Sequence, residues 1–331
     1  MEKRKKVSYA KYGYIFSIPF VVAFLIFTLY PVIYTVVLGF TDLKGAKATD
    51  WHFLPAVGKD LFANFTKVLG EKNFKNALSG TITMWVFNFI PQIVLALVLA
   101  AWFTNSSRKI KGQGFFKVVF YMPNIITATT VAVLFASLFQ YPKGPINDLV
   151  QFFGNDKIDF FMNKTFSRGL VSFIQFWQWY GYTMIILVSG ILGINPEIYK
   201  AADIDGATNV QKFFRITLPN LRTVLIYTLV TSLIGGLQMF DIPLNLVQNS
   251  GPDNATVTAS VYIYNQAFKG KYLYNKAAAA SMIMFVLISI LSAVIFYLMR
   301  DRYEVKEQKE IKKAQKAMKK AAKLKAKGGT A

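Results

Sequence analysis

The chain has 331 residues, of which 54% are hydrophobic and 16% are aromatic, and its mean hydropathy is +0.36. This composition is too apolar for a soluble domain, and the apolar residues are grouped in long blocks. The absence of cysteine excludes disulfides, metal–thiolate sites and thiol nucleophiles. The formal net charge of +21 comes with no nucleic-acid-binding motif, so we expect no nucleic-acid partner.

Six apolar blocks are long enough to cross a lipid bilayer as helices, which takes roughly 20 residues each. The blocks are too long and unbroken to be the strands of a membrane barrel. The sequence therefore predicts an all-α, polytopic helical membrane protein whose six-helix transmembrane domain covers residues 13–299. The predicted spans are 13–39, 78–103, 115–139, 169–194, 223–247 and 277–299.

The basic residues predict the orientation, because cytoplasmic loops carry an excess of Lys and Arg. With the amino terminus inside, 25 of the 38 Lys and Arg residues fall in inner segments. We therefore expect a multi-pass protein of the plasma membrane with a basic cytoplasmic amino terminus (1–12) and a basic cytoplasmic tail (300–331). The first apolar run is too long for a secretory signal and lacks a small-x-small cleavage site, which favours an uncleaved first span.

Some features outside the predicted spans also indicate structure. A short helix is expected near Leu61–Leu69, and turns are expected at 142–147 and 249–254. In the basic tail, apolar residues recur near helical spacing at Ile311, Ala314, Met318 and Ala321 or Ala322. The tail is either an amphipathic helix on anionic lipid or a solvated, partly disordered segment, and we favour the second interpretation.

The motifs of common enzymes are missing. No P-loop is present, so the chain is not expected to bind ATP, and neither a His-Glu-x-x-His nor a Gly-x-Ser-x-Gly motif occurs. The single histidine, His52, is in an outer loop without an acidic cluster and is interpreted as a surface residue. We therefore expect no enzymatic activity, no catalytic residue, no metal site and no cofactor in this chain.

The interiors of the predicted spans are nearly free of ionisable groups, which usually mark ion or proton pathways. The exception is Asp241, toward the outer end of the fifth span. A helix cap or a hydrogen bond at the outer rim is favoured for Asp241 over ion coupling. A translocator without an internal ion couple needs energy from another source.

The segment 195–221 between the fourth and fifth spans is polar and predicts two short helices. Pro196 and Glu197 suit the start of the first helix, and Gly206 after Asp205 permits a sharp reversal. Small side chains leave the first helix with a flat surface that another protein can contact. The second helix is expected to be anchored to the bundle and stopped before span five by Phe213, Phe214, Ile216 and Pro219.

This segment closely resembles the coupling loop of ATP-binding-cassette importer permeases: two alanines, then Asp-Gly-Ala, then Ile-x-Leu-Pro about a dozen residues on. Motifs along nearly the whole chain resemble the carbohydrate-type, maltose-permease-like members of that family. They are Leu29-Tyr30-Pro31, Gly39–Asp42, Phe120–Pro123, Gly144-x-Ile146-Asn147, and Phe240-Asp241 with Asn249–Pro252 and Thr256. One departure is Lys200, which stands where the family typically has the first Glu of the loop motif.

The resemblance implies a type I, MetI-like fold and a role as one permease subunit in a heterodimeric pore with a second permease subunit. An extracytoplasmic sugar-binding protein would deliver a sugar or oligosaccharide. A separate ATP-binding-cassette ATPase dimer, holding ATP and Mg, would act through residues 196–219. The ATPase-coupling residues implied by the motif are Ala201, Ala202, Asp205, Gly206, Ala207, Leu218 and Pro219.

The resemblance also implies substrate contacts in spans four and five, and Phe120 or Tyr121 are weaker candidates. The implied positions are Trp179, Tyr182, Ser232, Gly236 and Met239. A cluster of aromatic and amide residues at 177–182 agrees, because sugars stack on aromatic rings and hydrogen-bond to amides and hydroxyls. The alternative for Trp179 is a place in the aromatic belt at the membrane surface. The alternative for the whole chain is an ATP-independent facilitator or a membrane scaffold.

The predicted orientation is testable with reporters. A reporter fused after Lys327 should be active in the cytoplasm, and one inserted near Asp253 should be extracytoplasmic. The two insertions are controls for each other, because a single chain carries both. A reporter found on the opposite side at either position would contradict the six-span arrangement.

Overall fold

The computed structural model describes residues 10–46, 50–105, 111–247 and 250–299, together with positions 310, 311, 315 and 318 of the tail. Within these ranges the chain is helical, and the strand pairing is a single bridge between Thr41 and Phe53. Most of the predicted tail pattern, including Ala314, Ala321 and Ala322, lies outside the described residues. The side chains of Ile311 and Met318 are exposed.

The helices are numbered in chain order. The first half of the chain contains α1 (Ala10–Phe24), α2 (Tyr30–Gly39), α3 (Ala63–Gly70), α4 (Lys72–Thr104), α5 (Gln113–Ile125), α6 (Ala128–Leu138) and α7 (Pro145–Phe152). The second half contains α8 (Lys164–Leu192), α9 (Pro196–Ile204), α10 (Asn209–Lys212), α11 (Leu218–Asn220), α12 (Arg222–Leu237), α13 (Asp241–Leu246), α14 (Ala259–Phe268) and α15 (Tyr274–Met299). The π-helical turn Leu25–Leu29 joins α1 to α2.

Four helical segments are long and apolar enough to cross a membrane by themselves: Lys11–Gly39, Lys72–Thr104, Arg222–Leu246 and Tyr274–Met299. Two further candidates are bent pairs, α5 with α6 at 87° and α8 with α9 at 73°. Counting each bent pair as one candidate gives six, the number that the sequence predicts. In the second pair the predicted span 169–194 corresponds to α8, and α9 lies in the segment 195–221 that follows it. The short outer helix predicted near Leu61–Leu69 is observed as α3.

The third span is not the continuous helix that the sequence predicts. Pro123 lies in the last turn of α5, and Ile126 then adopts an extended conformation with φ −75° and ψ 136°. Thr127 starts α6 by accepting a hydrogen bond at its Oγ1 from the amide of Thr130 (3.3 Å). The extended conformation of Ile126 ends α5, and the Thr127 cap begins a helix in a new direction.

The helices α4 and α8 are the centre of the bundle. Buried residues of α4 contribute to the three main apolar clusters, which also involve α6, α8, α12, α13, α14 and α15. The first predicted span is different, because no residue in its most apolar stretch is buried against the rest of the chain. Only its end packs, with Leu38 next to Leu43 and Ala278.

The outer loop 248–276 contains α14, a helix that the sequence reading missed. Thr258 caps α14 at the amide of Val261 (3.2 Å), and the Oγ1 of Thr81 on α4 accepts a hydrogen bond from the amide of Ala259 (2.9 Å). These contacts hold α14 against α4. In the described part of the predicted turn, residues 250–254, φ is positive at Gly251 and Asp253, and Asn249 lies outside the described residues.

An acidic side chain joins three helices at the predicted outer end of the bundle. The carboxylate of Glu71, just before α4, accepts hydrogen bonds from Tyr262 Oη of α14 and Lys276 Nζ of α15, each at 2.5 Å. Burial raises the pKa of Glu71, but the hydrogen bonds from Lys276 and Tyr262 outweigh burial, so the pKa is lowered. The stabilisation is therefore present at neutral pH and is lost as the pH falls through this lowered pKa.

Helices α5 and α8 approach each other closely at Gly181 of α8. A Cβ atom at this position would lie 1.9 Å from the carbonyl oxygen of Phe120 on α5. Small residues at helix crossings in membranes let the backbones approach closely, which increases van der Waals contact. Gly181 therefore determines how closely α5, and the break that follows it, can pack against α8.

We expect Gly181→Ala to lower the thermal unfolding midpoint of the detergent-purified protein, because α5 must move away from α8 to admit the methyl group. Overpacking of this kind costs about 1–3 kcal/mol. Gly169→Ala is the matched control: it is on the same helix, and nothing lies within 4 Å of its added Cβ. If both variants melt together with the wild type, the close contact does not contribute to stability.

Candidate functional site

A cavity of about 630 Å³ lies between α4, α8, the break between α5 and α6, and the interruption at 238–240 between α12 and α13. It brings together all five residues that the sequence reading assigned to substrate: Trp179, Tyr182, Ser232, Gly236 and Met239. Phe120 and Tyr121 are not among its lining residues. The ring of Phe120 packs instead against Tyr180 and Phe103.

The aromatic cluster at 177–182 is not one site, because the helix directs its members to different neighbours. Trp177 packs on Phe135 of α6, with ring centroids 5.9 Å apart, and Tyr180 packs on Phe120. Trp179 lines the cavity together with Tyr182, and their rings are edge to face at 5.7 Å. The side chain of Trp179 is 45% exposed. The structure therefore separates packing aromatics from cavity aromatics.

The cavity wall is rich in amides and hydroxyls. Its amide side chains are Asn88, Gln92, Asn124, Gln175, Gln178 and Gln238, and its hydroxyl side chains are Thr127, Tyr182, Thr183, Tyr227, Thr228, Thr231 and Ser232. Among the described lining residues, Asp241 alone is charged. Such a wall can donate and accept many neutral hydrogen bonds.

Sequence reasoning missed the contribution of α4. Asn88 and Gln92 are one helical turn apart and buried, and the Nε2 atom of Gln92 donates to the Oγ1 atom of Thr183 on α8 (2.7 Å). The available signal was two amides four residues apart inside an otherwise apolar predicted span. Polar residues within a membrane span usually face the protein interior or a cavity.

Two of the assigned residues on α12 accommodate a tryptophan of α4. The indole Nε1 of Trp85 donates to the Oγ atom of Ser232 (3.2 Å). A Cβ atom on Gly236 would lie 2.0 Å from the Cδ1 atom of the same ring. Gly236 thus leaves space for Trp85, and Ser232 positions its ring at the side of the cavity.

Asp241 is the first residue of α13 and also lines the cavity. A carboxylate in the first turn of a helix is favoured by the unpaired amides there. Within the described ranges, no group of three His, Cys, Asp or Glu side chains could hold a metal ion.

The predicted coupling loop, residues 195–221, joins the far ends of α8 and α12. The Oδ1 atom of Asn195 accepts a hydrogen bond from the amide of Glu197 (3.0 Å), and Pro196 occupies the first position of α9. Gly206 has a φ of +72° in the turn after α9. A Thr208–Gln211 capping box then starts α10. Both predicted helices are thus present.

The residues assigned to coupling lie on or near the surface of this loop. Ala201, Asp205, Gly206 and Pro219 are exposed, and Ala202, Ala207 and Leu218 are half-buried. The most exposed large apolar side chains of the loop are those of Ile204 (87%), Val210 (66%) and Phe214 (60%). This surface has apolar and small side chains that the rest of the described chain does not cover.

Two expectations about the second loop helix are wrong. Phe214 is exposed, so it does not anchor the helix to the bundle, whereas Lys212 and Thr217 are buried. Pro219 does not stop the helix, because a wide π-helical turn at Phe213–Thr217 precedes it and α12 begins at Arg222. A π-helical turn changes the backbone hydrogen-bond register, which allows the chain to pass the proline and remain helical.

Comparisons with known proteins identify the family. Residues 68–306 match the model of the family described as the binding-protein-dependent transport system inner membrane component. The chain belongs to this family. It is therefore a multi-pass membrane protein and a permease component of a transport system, and the predicted all-helical permease fold is confirmed.

Individual relatives agree over most of their length. The chain is 30% identical to the lactose transport system permease protein LacF of Rhizobium radiobacter, covering 88% of this chain and 94% of that protein. It is also 30% identical to the arabinooligosaccharides transport system permease protein AraP of Bacillus subtilis (strain 168), covering 85% and 86%. A chain in the crystal structure of a bacterial ABC transporter for alginate import has the same fold, with a TM-score of 0.73, 23% identity, and coverage of 87% and 94%.

Proposed function

We propose that this chain is a permease subunit of an ATP-driven importer of a sugar or oligosaccharide, and that it forms half of a heterodimeric pore. The observation that carries the proposal is the cavity, because it combines the exposed Trp179 ring and the half-buried Tyr182 ring with many amides and hydroxyls. Sugars bind to such walls by stacking and by neutral hydrogen bonds. Relatives named for lactose and for arabinooligosaccharides support this substrate class.

In this proposal, the free energy of ATP hydrolysis reaches the permease through the coupling loop. The partner is a separate ATP-binding-cassette ATPase dimer that holds ATP and Mg, and it contacts the exposed apolar and small side chains of the loop. Burial of Ile204, Val210 and Phe214 against that partner would contribute to the affinity, at about 25 cal/mol per Å² of apolar surface. With the loop and both termini in the cytoplasm, an extracytoplasmic binding protein delivers the sugar from the other side.

The ATP-independent alternative is an ion-coupled facilitator, for which the one relevant observation is that Asp241 lines the cavity. Vesicles that contain the complete transporter distinguish the two. Uptake of labelled sugar should require ATP and the binding protein, and it should persist after a protonophore and a sodium ionophore collapse the ion gradients. Uptake that needs a gradient and ignores ATP would contradict the proposal.

The role of Trp179 is tested by its removal. We expect Trp179→Ala to reduce uptake at low sugar concentration roughly tenfold, equivalent to about 1.4 kcal/mol, because a stacking surface is lost. Phe173→Ala is the matched control: Phe173 lies on the same helix and is 47% exposed, against 45% for Trp179, but it does not line the cavity. Equal uptake by both variants would contradict a role in sugar binding and would favour the alternative that Trp179 belongs to the aromatic belt at the membrane surface.

The turn at Gly206 gives a second test. A β-branched side chain strongly disfavours φ of +72°, whereas Asn tolerates the left-handed region. We expect Gly206→Val to insert normally but to retain roughly tenfold less ATPase on co-purification, because strain of about 1–3 kcal/mol displaces α9. Gly206→Asn is the control, since nothing lies within 4 Å of an added Cβ. If Gly206→Val retains as much ATPase on co-purification as Gly206→Asn does, the turn is not part of the coupling surface.

A further inference from the structure

The first helix of the coupling loop, α9, is not held in place by apolar packing. None of its residues is buried. A cavity of about 460 Å³ separates α9 and α10 from the cytoplasmic ends of α4 and α8, and Trp102, Leu192 and Phe213 are among its apolar walls. A helix that lies over an open cavity can change its orientation at little cost, unless polar contacts fix it.

Two polar contacts connect α9 to the second half of the loop. The Nζ atom of Lys212 donates to the Oδ1 atom of Asp203 (2.6 Å). The hydroxyl of Tyr199 is hydrogen-bonded to the Oγ1 atom of Thr217 (2.8 Å). Tyr199 and Asp203 are one turn apart on α9, so the two contacts lie on the same side of the helix and restrict its rotation together.

The Asp203–Lys212 ion pair is more buried than the other ion pair of the loop, so it depends more strongly on its geometry. The side chain of Lys212 is only 9% exposed, so its ammonium group depends on the carboxylate, whereas Asp203 is 51% exposed. The other ion pair of the loop, Lys200 with Glu197 (2.9 Å), is about 70% exposed at both ends. Both of its members lie on α9, so it cannot determine the angle between α9 and the second half of the loop.

The second half of the loop leads directly into the cavity helix. From Asn209 the chain passes through α10, the π-helical turn and α11, and Leu221 then joins α11 to α12 with helical dihedral angles. Leu221 is fully buried. A displacement of Lys212 is therefore carried along one nearly continuous helical segment to Ser232 and Gly236.

We propose that Asp203 and Lys212, supported by Tyr199 and Thr217, are positioning residues that make α9 and α12 move as one body. This inference rests on the proposed function, because it assigns to the two contacts the transmission of ATPase movement to the cavity. Without them α9 pivots at the Asp205–Ala207 turn, over the cavity beneath it. A movement imposed on α9 then does not reach α12.

The test uses the full transporter, with its partner permease, ATPase and binding protein, in lipid nanodiscs. The measured quantity is the coupling ratio, defined as ATP hydrolysis with sugar-loaded binding protein divided by basal hydrolysis. In Asp203→Asn, and separately in Lys212→Met, we expect this ratio to fall roughly tenfold, the effect of losing one charge-assisted hydrogen bond. The amount of co-purified ATPase should stay at the wild-type level.

Three further variants make the test specific. The double variant Asp203→Asn/Lys212→Met should have the same ratio as either single variant, because all three remove one contact. Asp203→Glu keeps the charge and should retain most of the coupling ratio. Asp148→Asn is the control for an Asp→Asn change, since it removes an ion pair to Lys157 (3.4 Å) in the predicted outer loop.

The outcomes separate the two proposals. A wild-type transporter that shows no sugar-stimulated hydrolysis overturns the proposed function and this inference with it. A stimulated wild type with normal ratios in Asp203→Asn and Lys212→Met overturns only the inference. Loss of the ATPase from these variants also overturns it, because the pair would then build the docking surface rather than transmit movement. If the coupling ratio falls further in the double variant than in either single variant, Asp203 and Lys212 do not act through one shared contact, and the inference is overturned.

Discussion

In the hydrocarbon interior of a membrane, each backbone amide and carbonyl needs a partner within the protein, so irregular backbone is tolerated only where it is buried in protein or lines a cavity. This chain interrupts two predicted spans, at Ile126 and between Leu237 and Asp241. Both interruptions line the same cavity. The site thus lies where the helical hydrogen-bond pattern fails, and the rest of the bundle compensates for that failure.

Specific side chains supply the compensation. The Nε2 atom of Gln178 donates to the carbonyl oxygen of Ile126 (3.0 Å), and the Oγ1 atom of Thr258 donates to the carbonyl oxygen of Met239 (2.8 Å). Gln178 reaches Ile126 because Gly181 lets α5 lie directly against α8. Thr258 also caps α14, so the missed outer helix and the cavity depend on one hydroxyl. The shape of the cavity therefore depends on contacts from α8 and α14 as well as on the interrupted spans themselves.

The sequence predicts the outer limits of the spans well and their interruptions poorly. Apolar length determines where a span begins and ends, so 277–299 is close to the observed Tyr274–Met299. Hydropathy carries no information about backbone direction, so the sequence predicts the apolar block 115–139 as one continuous helix. Pro123 was the available signal, but prolines also occur within intact membrane helices, as Pro91 does within α4.

The sequence also predicts only part of the candidate site. A motif resemblance located residues on α8 and α12, and the structure places all five on one cavity. It could not locate Asn88 and Gln92, because they belong to no motif and their role depends on α4 packing against α8. The interhelical contact of Asp203 with Lys212, nine residues apart in sequence, likewise depends on the fold of the loop, which the eight intervening positions do not specify.

The substitution at Lys200 shows how such local contacts change the meaning of a motif. A lysine where the family typically has glutamate reverses a charge on the surface that is proposed to contact the ATPase. In the structure Lys200 pairs with Glu197 on the same helix, one turn earlier, so the reversed charge is neutralised within α9. The other exposed side chains of the proposed contact surface are mostly small or apolar, with Asp205 as a charged exception, so in this proposal its affinity depends mainly on shape and burial rather than on a salt bridge at Lys200. The glutamate can therefore be replaced while the alanines and Gly206, which determine that shape, are kept.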